Sequence, residues 1–298
     1  MTLPSAQATF TTQARHVPYI TTQQYKLAPT PVPWDTLTPG GTLAQSLDQL
    51  AQLIERASTW VDSICMQVLA ATTDTEQTVA YPNRRGQIIV RPRYHPVIEL
   101  TDFWCGTTVG TLTESPSLAN CWVEPKRIIV TQPGVPVFSS AGPLQFGGAP
   151  GLPGTPTFVR YSYVNGYPVT TLAQAAAKGA QQIQVVDPTG VLAGFTPLTI
   201  RDDASEPLAV TAVNGNVLSL ASPLASDHAA GAAVTGLPAD VEEAVILATT
   251  AFAKMRGNMA IVAQSTAANQ SSDPLGAGTD LAEAEKILVR GDYLRAAP

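Results

Sequence analysis

The clearest pattern in the chain is a run of apolar residues that recur at alternating steps of four and three from Thr42 to about Ala71. Such spacing places these side chains on one face of an amphipathic α-helix of about seven turns. Thr42 follows two glycines and is a suitable N-cap. We predict that this face packs in a core or against another subunit. Its members are Leu43, Leu47, Leu50, Ile54, Ala57, Val61, Ile64 and Val68.

The pattern changes to β between residues 78 and 165. Short β-branched and aromatic runs are bounded there by Gly, Pro or Asn, which is typical of strands. The runs cover 88–90, 97–100, 121–123, 127–130 and 158–163. A Gly- and Pro-rich stretch over 133–156 is predicted to be a long surface loop.

Residues 171–236 have a different character from their surroundings. The residues before this stretch are predicted to form a strand that ends in an Asn165-Gly166 turn. The residues after it are predicted to begin a helix at Pro238. Within the stretch, Asn214-Gly215 between alternating runs is a strong hairpin signal. Because exposed turns tolerate insertions, we predict an inserted small all-β domain, either a barrel or a sandwich.

Two more helices are predicted near the C-terminus. The first extends from Pro238 to Gly257. A polar linker over 264–280 then leads to a last helix over 281–295, capped by Thr279 or Asp280.

The first 41 residues are rich in Thr, Gln and Pro and are predicted to form an extended N-terminal arm. Thr21 or Thr22 is a candidate cap for a short helix through Leu27. Trp34 lies among prolines, and we predict that it anchors the arm to another surface. Met1–Phe10 lacks the features of a signal peptide, and no stretch is long enough to predict a membrane span.

The resulting fold class is α+β, a helical core with a short antiparallel β segment plus the inserted β domain. The predicted parts are the arm (1–41), the first part of the core (42–170), the inserted module (171–236) and the second part of the core (237–298).

Composition favours assembly over nucleic-acid binding. Only 13% of the 298 residues are charged, against about 25% in ordinary soluble domains. A chain with so few charges suits a surface that is buried against partners. The net charge is −6, and no basic patch of the kind that drives binding to nucleic acid is present.

The sequence offers little catalytic or metal chemistry. It lacks a phosphate loop, a G-x-S-x-G elbow, an H-E-x-x-H motif and zinc-ligand spacing, so we predict no enzyme, no metal and no cofactor. Asp202, Asp203 and Glu206 form an acidic cluster, which raises the possibility of a calcium site. The regular spacing of calcium ligands is missing, so we favour a solvated turn without a bound ion. Cys105 and Cys121 flank a turn-rich segment, and their pairing is left open.

The order of elements resembles the head–tail connector (head-completion adaptor) proteins of tailed bacteriophages. The resemblance covers about 42–170 and 237–295, and the 171–236 module departs from the minimal family pattern. A tyrosine–glycine strand followed by a Pro-capped helix carries most of it. The matching segments are Ile54-Glu55-Arg56-Ala57-Ser58, Val61-Asp62, Pro96-Val97-Ile98, Tyr161-x-Tyr163-Val164-Asn165-Gly166-Tyr167, Leu237-Pro238-x-Asp240-Val241-x-x-Ala244 and Ala284-Glu285-x-Ile287-Leu288.

The resemblance implies a structural virion protein, made in the bacterial cytoplasm, that forms a homo-oligomeric ring between portal and tail. The implied ring is a dodecamer that extends the DNA channel after packaging, lets double-stranded DNA pass without specific binding, and contacts a tail-side stopper or tail terminator. The implied fold is a helical connector core. The C-terminal segment would dock onto the portal protein through Lys286, Ile287, Leu288, Arg290, Tyr293, Leu294 and Arg295.

Two other classes remain open. One is another tail-side or surface-binding structural protein, whose β module contacts a partner or the host. The other is an enzyme whose site the sequence does not reveal. Formation of a ring with a central channel would separate the connector from the first of these.

Overall fold

The computed structural model describes residues 11–12, 17–83, 85–115, 118–119, 121–131, 156–255 and 277–295. The predicted loop over 133–156, apart from its last residue, lies outside the described residues. So do the predicted helix stop at Gly257 and the predicted linker up to residue 276. The chain divides into two compact units. The first comprises residues 1–14, 71–166 and 296–298, and the second comprises residues 15–70 and 167–295.

The first unit contains two antiparallel sheets. Its strands are β1 (Thr11–Thr12), β2 (Thr72–Ala80), β3 (Gln87–Val90), β4 (Val97–Gly106), β5 (Thr113–Glu114), β6 (Cys121–Glu124), β7 (Arg127–Thr131) and β8 (Thr157–Asn165). One sheet has the order β1-β2-β8-β4-β5 and the other the order β3-β7-β6. Their inward residues, among them Ile88, Phe103 and Ile128, form one hydrophobic cluster.

Strand β2 was not predicted, and its composition explains why. Thr72, Asp74 and Glu76 alternate with more exposed residues and are buried. The inward face of this half of the strand is therefore polar, and a search for alternating apolar residues cannot find it. Asn165 donates to Asp74 across the sheet at 2.7 Å, so the buried carboxylate has a hydrogen-bond partner.

The second unit contains the helices. They are α1 (Thr22–Leu27), α2 (Leu43–Cys65), α3 (Ala239–Met255) and α4 (Ala277–Arg290). Thr21 and Thr42 cap α1 and α2, as predicted, and both form capping boxes with a glutamine three residues later. Helix α2 ends at Cys65 and not near Ala71, because Met66 adopts a left-handed conformation with φ of 54°. The last helix begins and ends earlier than the predicted 281–295.

The same unit contains seven short strands within 169–235. They are β9 (Val169–Thr171), β10 (Gln182–Gln184), β11 (Leu198–Arg201), β12 (Glu206–Leu208), β13 (Val210–Asn214), β14 (Val217–Leu220) and β15 (Ala233–Thr235). They form two antiparallel sheets of order β10-β14-β13 and β12-β11-β15-β9. Asn214-Gly215 makes the predicted hairpin between β13 and β14. A separate hydrophobic cluster, drawn only from residues between Leu172 and Val234, fills this β module.

Part of the predicted arm belongs to the helical core. Tyr19, Ile20 and Tyr25 are at most 2% exposed and join α2, α3 and α4 in one cluster. Tyr19 donates its hydroxyl to Asp62 and receives the amide of Leu69 at 2.8 Å. The segment after Val17 is therefore packed onto the end of α2.

The predicted fold class is wrong. One third of the described residues lie in strands or bridges, arranged in four antiparallel sheets, and the described residues contain only four helices. The β segment is not a short attachment to a helical connector core, because it has a hydrophobic cluster of its own. The error arose from strands with polar inward faces, such as β2, and from very short strands such as β9 and β15.

Candidate functional site

The predicted docking residues on α4 divide between a buried and an exposed face. Leu288 is fully buried, and Ile287 packs at the edge of the same helical cluster. Lys286 and Arg290 are exposed on the outer face. Lys286 lies 3.2 Å from Glu283, one turn earlier. Only the outer face is therefore available to another protein in this structure.

The residues after α4 are held by the second unit itself. The Tyr293 hydroxyl donates to Asp240 at the start of α3 at 2.6 Å, and the Tyr293 carbonyl accepts from the Gln67 side chain at 2.7 Å. Burial, followed by the hydrogen bond to Asp240 and its charge, raises the pKa of Tyr293. The Arg295 amide donates to the Cys65 carbonyl at 2.9 Å, and the Leu294 side chain is half-buried.

The predicted apolar face of α2 is buried only in part. Ile54 and Val61 are at most 1% exposed, whereas Leu47, Ile64 and Val68 are half-buried. Val68 lies beyond the end of the helix. The buried positions share Leu50, Ile54, Ala57 and Val61 with the predicted face. They also include the polar residues Ser46 and Ser58, which apolar periodicity does not detect. The buried positions are Ser46, Leu50, Leu53, Ile54, Ala57, Ser58, Val61 and Cys65.

Trp34 begins a short 3-10 turn, Trp34–Thr36, and packs half-buried against the helical cluster. The Lys26 ammonium lies 4.5 Å from the centre of its ring, within the range of a cation–π contact. In this structure Trp34 contacts its own chain.

A row of apolar side chains crosses the outer face of the three-stranded sheet in the first unit. Trp122 pairs with Ile129, and Ile129 pairs with Ile89 on the next strand. Trp122 is 67% exposed and Ile89 is 41% exposed. We call these three residues the Trp122 row. The Glu124–Arg127 ion pair of 2.7 Å flanks it at the β6–β7 turn, so an apolar centre adjoins a charged rim.

Sequence reasoning recognised the strands of this sheet but not its outer face. Ile128 and Val130 point inwards and are buried, so alternation assigns Ile129 to the opposite side. The exposed row could have been predicted from an apolar residue at an outward position on each of the three strands. Aligning those positions requires the register of the strands, which cannot be read from the sequence alone.

A second exposed aromatic residue lies on the β module. Phe195 is 84% exposed, in the loop between residues 190 and 197. The loop is held by the Leu192 amide, which donates to Thr196 Oγ1 at 2.8 Å, and by the Gly194 amide, which donates to the Val210 carbonyl at 2.8 Å. Gly194 has φ of 77°, a left-handed conformation suited to glycine. The aromatic ring is therefore presented by an ordered turn.

The acidic cluster of the module is organised around a histidine. His228 Nδ1 lies 2.8 Å from Asp202, and its Nε2 lies 3.3 Å from Glu206. Asp203 instead accepts from the Gln23 side chain at 2.9 Å. Two of the three acidic residues are thus paired with the buried ring of His228. Neither of the two predictions for this cluster, a calcium site or a solvated turn, included this contact.

A buried carboxylate also lies in the first unit. Glu76 accepts from the hydroxyls of Tyr161, at 2.8 Å, and Tyr163, and from the Arg93 amide at 2.8 Å. Burial, together with the charge of Glu76 and these hydrogen bonds, strongly raises the pKa of both tyrosines. The phenol groups therefore remain protonated donors at any physiological pH.

Three further findings concern the described part of the chain. No group of three or more His, Cys, Asp or Glu side chains there has an arrangement that could hold a metal ion. None of Cys65, Cys105 and Cys121 forms a disulfide bond, so the bond considered between Cys105 and Cys121 is not made. Within the described helices, none combines the length and apolar character needed to cross a membrane.

No protein-family model matches the sequence, and no curated protein matches it at a significant level.

Proposed function

We propose that this chain is a structural assembly protein, and specifically a subunit of a virion ring between the portal and the tail. The Trp122 row is the observation that carries the proposal. Exposed apolar patches with a polar rim mark protein–protein contacts, and tryptophan is enriched among the residues that dominate their affinity. The low charged fraction of 13% and the resemblance to head–tail connectors support the same class.

In this proposal the row contacts a second copy of the chain. A ring requires a heterologous contact, in which one patch of a subunit meets a different patch of the next subunit. The row has three aligned apolar side chains to bury and an ion pair at its rim. These features suit a contact with an apolar centre and a solvated edge.

Substitution of the row tests this proposal directly. Trp122→Ser should convert the assembled protein to smaller species in sedimentation velocity, because it removes the largest apolar side chain of the contact. Tyr81→Ser is the matched control, since Tyr81 is 61% exposed in the same unit but outside the row. An unchanged sedimentation profile for Trp122→Ser, with circular dichroism showing a folded protein, would overturn the proposal.

The portal would be contacted through the outer face of α4. Since Leu288 is buried within the second unit, the available groups are Lys286 and Arg290. Lys286→Glu combined with Arg290→Glu should abolish attachment to portal-bearing heads without lowering thermal stability. Lys178→Glu, at an exposed site in the β module, is the charge control. Normal attachment of the double variant would remove this docking role.

A second candidate is a tail-side or surface-binding protein whose β module contacts a partner. The exposure and ordered presentation of Phe195 favour it. Under this alternative, Phe195→Ser would lose partner binding while Trp122→Ser would leave both binding and oligomeric state unchanged. The two variants therefore separate the candidates.

A further inference from the structure

The end of β11 and the turn that leads to β12 are in contact with three other parts of the second unit. Arg201 Nε lies 3.4 Å from the Glu242 carboxylate on α3, and Asp203 accepts from Gln23 on α1 at 2.9 Å. Between them, Asp202 pairs with His228. Three consecutive residues therefore link the β module to two helices and to its own crossover segment.

We propose that His228 is a pH-sensitive latch that fixes this turn and thereby couples the β module to α1 and α3. The side chain of His228 is 0% exposed, and its two ring nitrogens face Asp202 and Glu206 at 2.8 and 3.3 Å. An ionised carboxylate can only accept a hydrogen bond, so both nitrogens must carry a proton for both contacts to form. With both carboxylates ionised, the two contacts form as hydrogen bonds only when the ring is an imidazolium.

The latch ties the segment that connects the two sheets of the module to the β11–β12 turn. His228 lies in the crossover between β14 of one sheet and β15 of the other, while Asp202 and Glu206 belong to the β11–β12 region. The His228 backbone exchanges hydrogen bonds with Ala176 at 2.8 and 2.9 Å. The Ala225 amide donates to Glu206 at 2.8 Å. Ring and backbone contacts thus hold the crossover from two sides.

Asp202 and Glu206 are the titratable groups that face the ring. Asp227, the next residue in the crossover, instead accepts from the Lys178 amide at 2.7 Å, and the segment at Ala176 contributes backbone groups. Loss of the ring proton would turn a nitrogen lone pair towards one of the two carboxylates. That contact would be repulsive, and the turn that holds Asp202 would be released.

The direction of the pH dependence follows from the charges. Burial opposes the charged ring, but the hydrogen bonds and charges of Asp202 and Glu206 outweigh it and raise the pKa of His228 above 6.5. The latch therefore contributes fully below the unfolded pKa of about 6.5 and is lost as the pH rises through the higher folded value. It is also lost in acid as Glu206, whose pKa is lowered, becomes protonated.

Hydrogen exchange of the full chain tests the latch. From about pH 6.5 to about pH 9, after correction for intrinsic rates, peptides over 201–206 and 221–231 should lose protection as the His228 ring loses its proton. Peptides from β8 serve as the internal reference. His228→Gln should show low protection already at about pH 6. Asp202→Asn combined with Glu206→Gln should remove the pH dependence, since amides accommodate a neutral ring.

The titration of His228 in the wild-type protein gives an independent readout. Its Cε1–H resonance in NMR should titrate above 6.5. A midpoint below 6.5, or equal pH profiles of protection in the wild type and His228→Gln, would overturn the proposal. Because this NMR titration uses the wild-type protein, it tests the proposed latch even if the variants fail to fold.

Discussion

The first unit stabilises the buried Glu76 carboxylate with two tyrosine hydroxyls and a backbone amide, whereas the β module places a buried histidine between two carboxylates. Both regions are small two-sheet structures with hydrophobic clusters of their own. They differ in the group that titrates. The tyrosines keep their protons across the physiological range. The pKa of His228 is raised from its ordinary value because the hydrogen bonds and charges of Asp202 and Glu206 outweigh its burial. Two β cores of similar construction can therefore differ in their sensitivity to pH.

Truncation of a buried side chain in either hydrophobic cluster should lower stability more than any other change considered below. Phe103→Ala in the first unit and Leu218→Ala in the β module should each lower the free energy of unfolding by about 2–5 kcal/mol, because both side chains are fully buried. Hydrogen exchange should then report the loss mainly in the cluster that contains the substitution. Equal loss in both clusters would show that the two β cores unfold together and would remove the basis of the comparison.

A smaller effect is expected from the tyrosine network. Tyr163→Phe removes a hydroxyl donor from buried Glu76 and should cost about 1–3 kcal/mol in urea unfolding. Tyr81→Phe, at a site that is 61% exposed, is the control and should be neutral. If both variants unfold at the same urea concentration, the hydroxyl of Tyr163 does not stabilise the carboxylate.

Raising the pH should destabilise the β module but not the first unit, by less than the substitutions above. As the pH rises above about 6.5, the module should lose stability because its folded state favours the protonated His228. The first unit should show no loss up to about pH 9, since the pKa of Tyr161 and Tyr163 is strongly raised by burial and by Glu76. Exchange rates of β8 and β15 peptides from one sample provide the measurement. An equal loss of exchange protection in β8 would contradict the expected difference between the two regions.

The smallest effect concerns thiol reactivity and leaves stability unchanged. Burial, followed by the charge of Asp62, raises the pKa of Cys65 to about 12. Cys121 is half-buried and its pKa is raised by burial as well. At about pH 8, a maleimide reagent should therefore label Cys121 well before Cys65 in peptide mass spectrometry. Faster labelling of Cys65 would mean that the end of α2 opens readily.

The sequence predicted the elements whose buried residues are apolar. Helix α2 with its Thr42 cap, the Asn214-Gly215 hairpin and helix α3 are confirmed, because periodicity and capping depend on local residue types. Residues 172–234 contain their own hydrophobic cluster, although residues 167–295 as a whole belong to the unit that contains the helices. The domain boundaries at 171 and 236 stay a prediction.

The rest depended on contacts between distant residues. Strand β2 was missed because Asp74 and Glu76 are buried through partners some ninety residues away in β8. The pairing of His228 with Asp202 spans 26 residues and leaves no local pattern. The Trp122 row needs the register of three strands. These contacts join residues that are far apart in the sequence, so they cannot be predicted from local composition and spacing.

Negative-stain electron microscopy of the purified wild-type chain decides whether it assembles through the Trp122 row. We expect closed rings with a central channel, which Trp122→Ser should abolish and Tyr81→Ser should preserve. Monomers at all concentrations, or rings that form equally well with Trp122→Ser, would rule out ring assembly through this row.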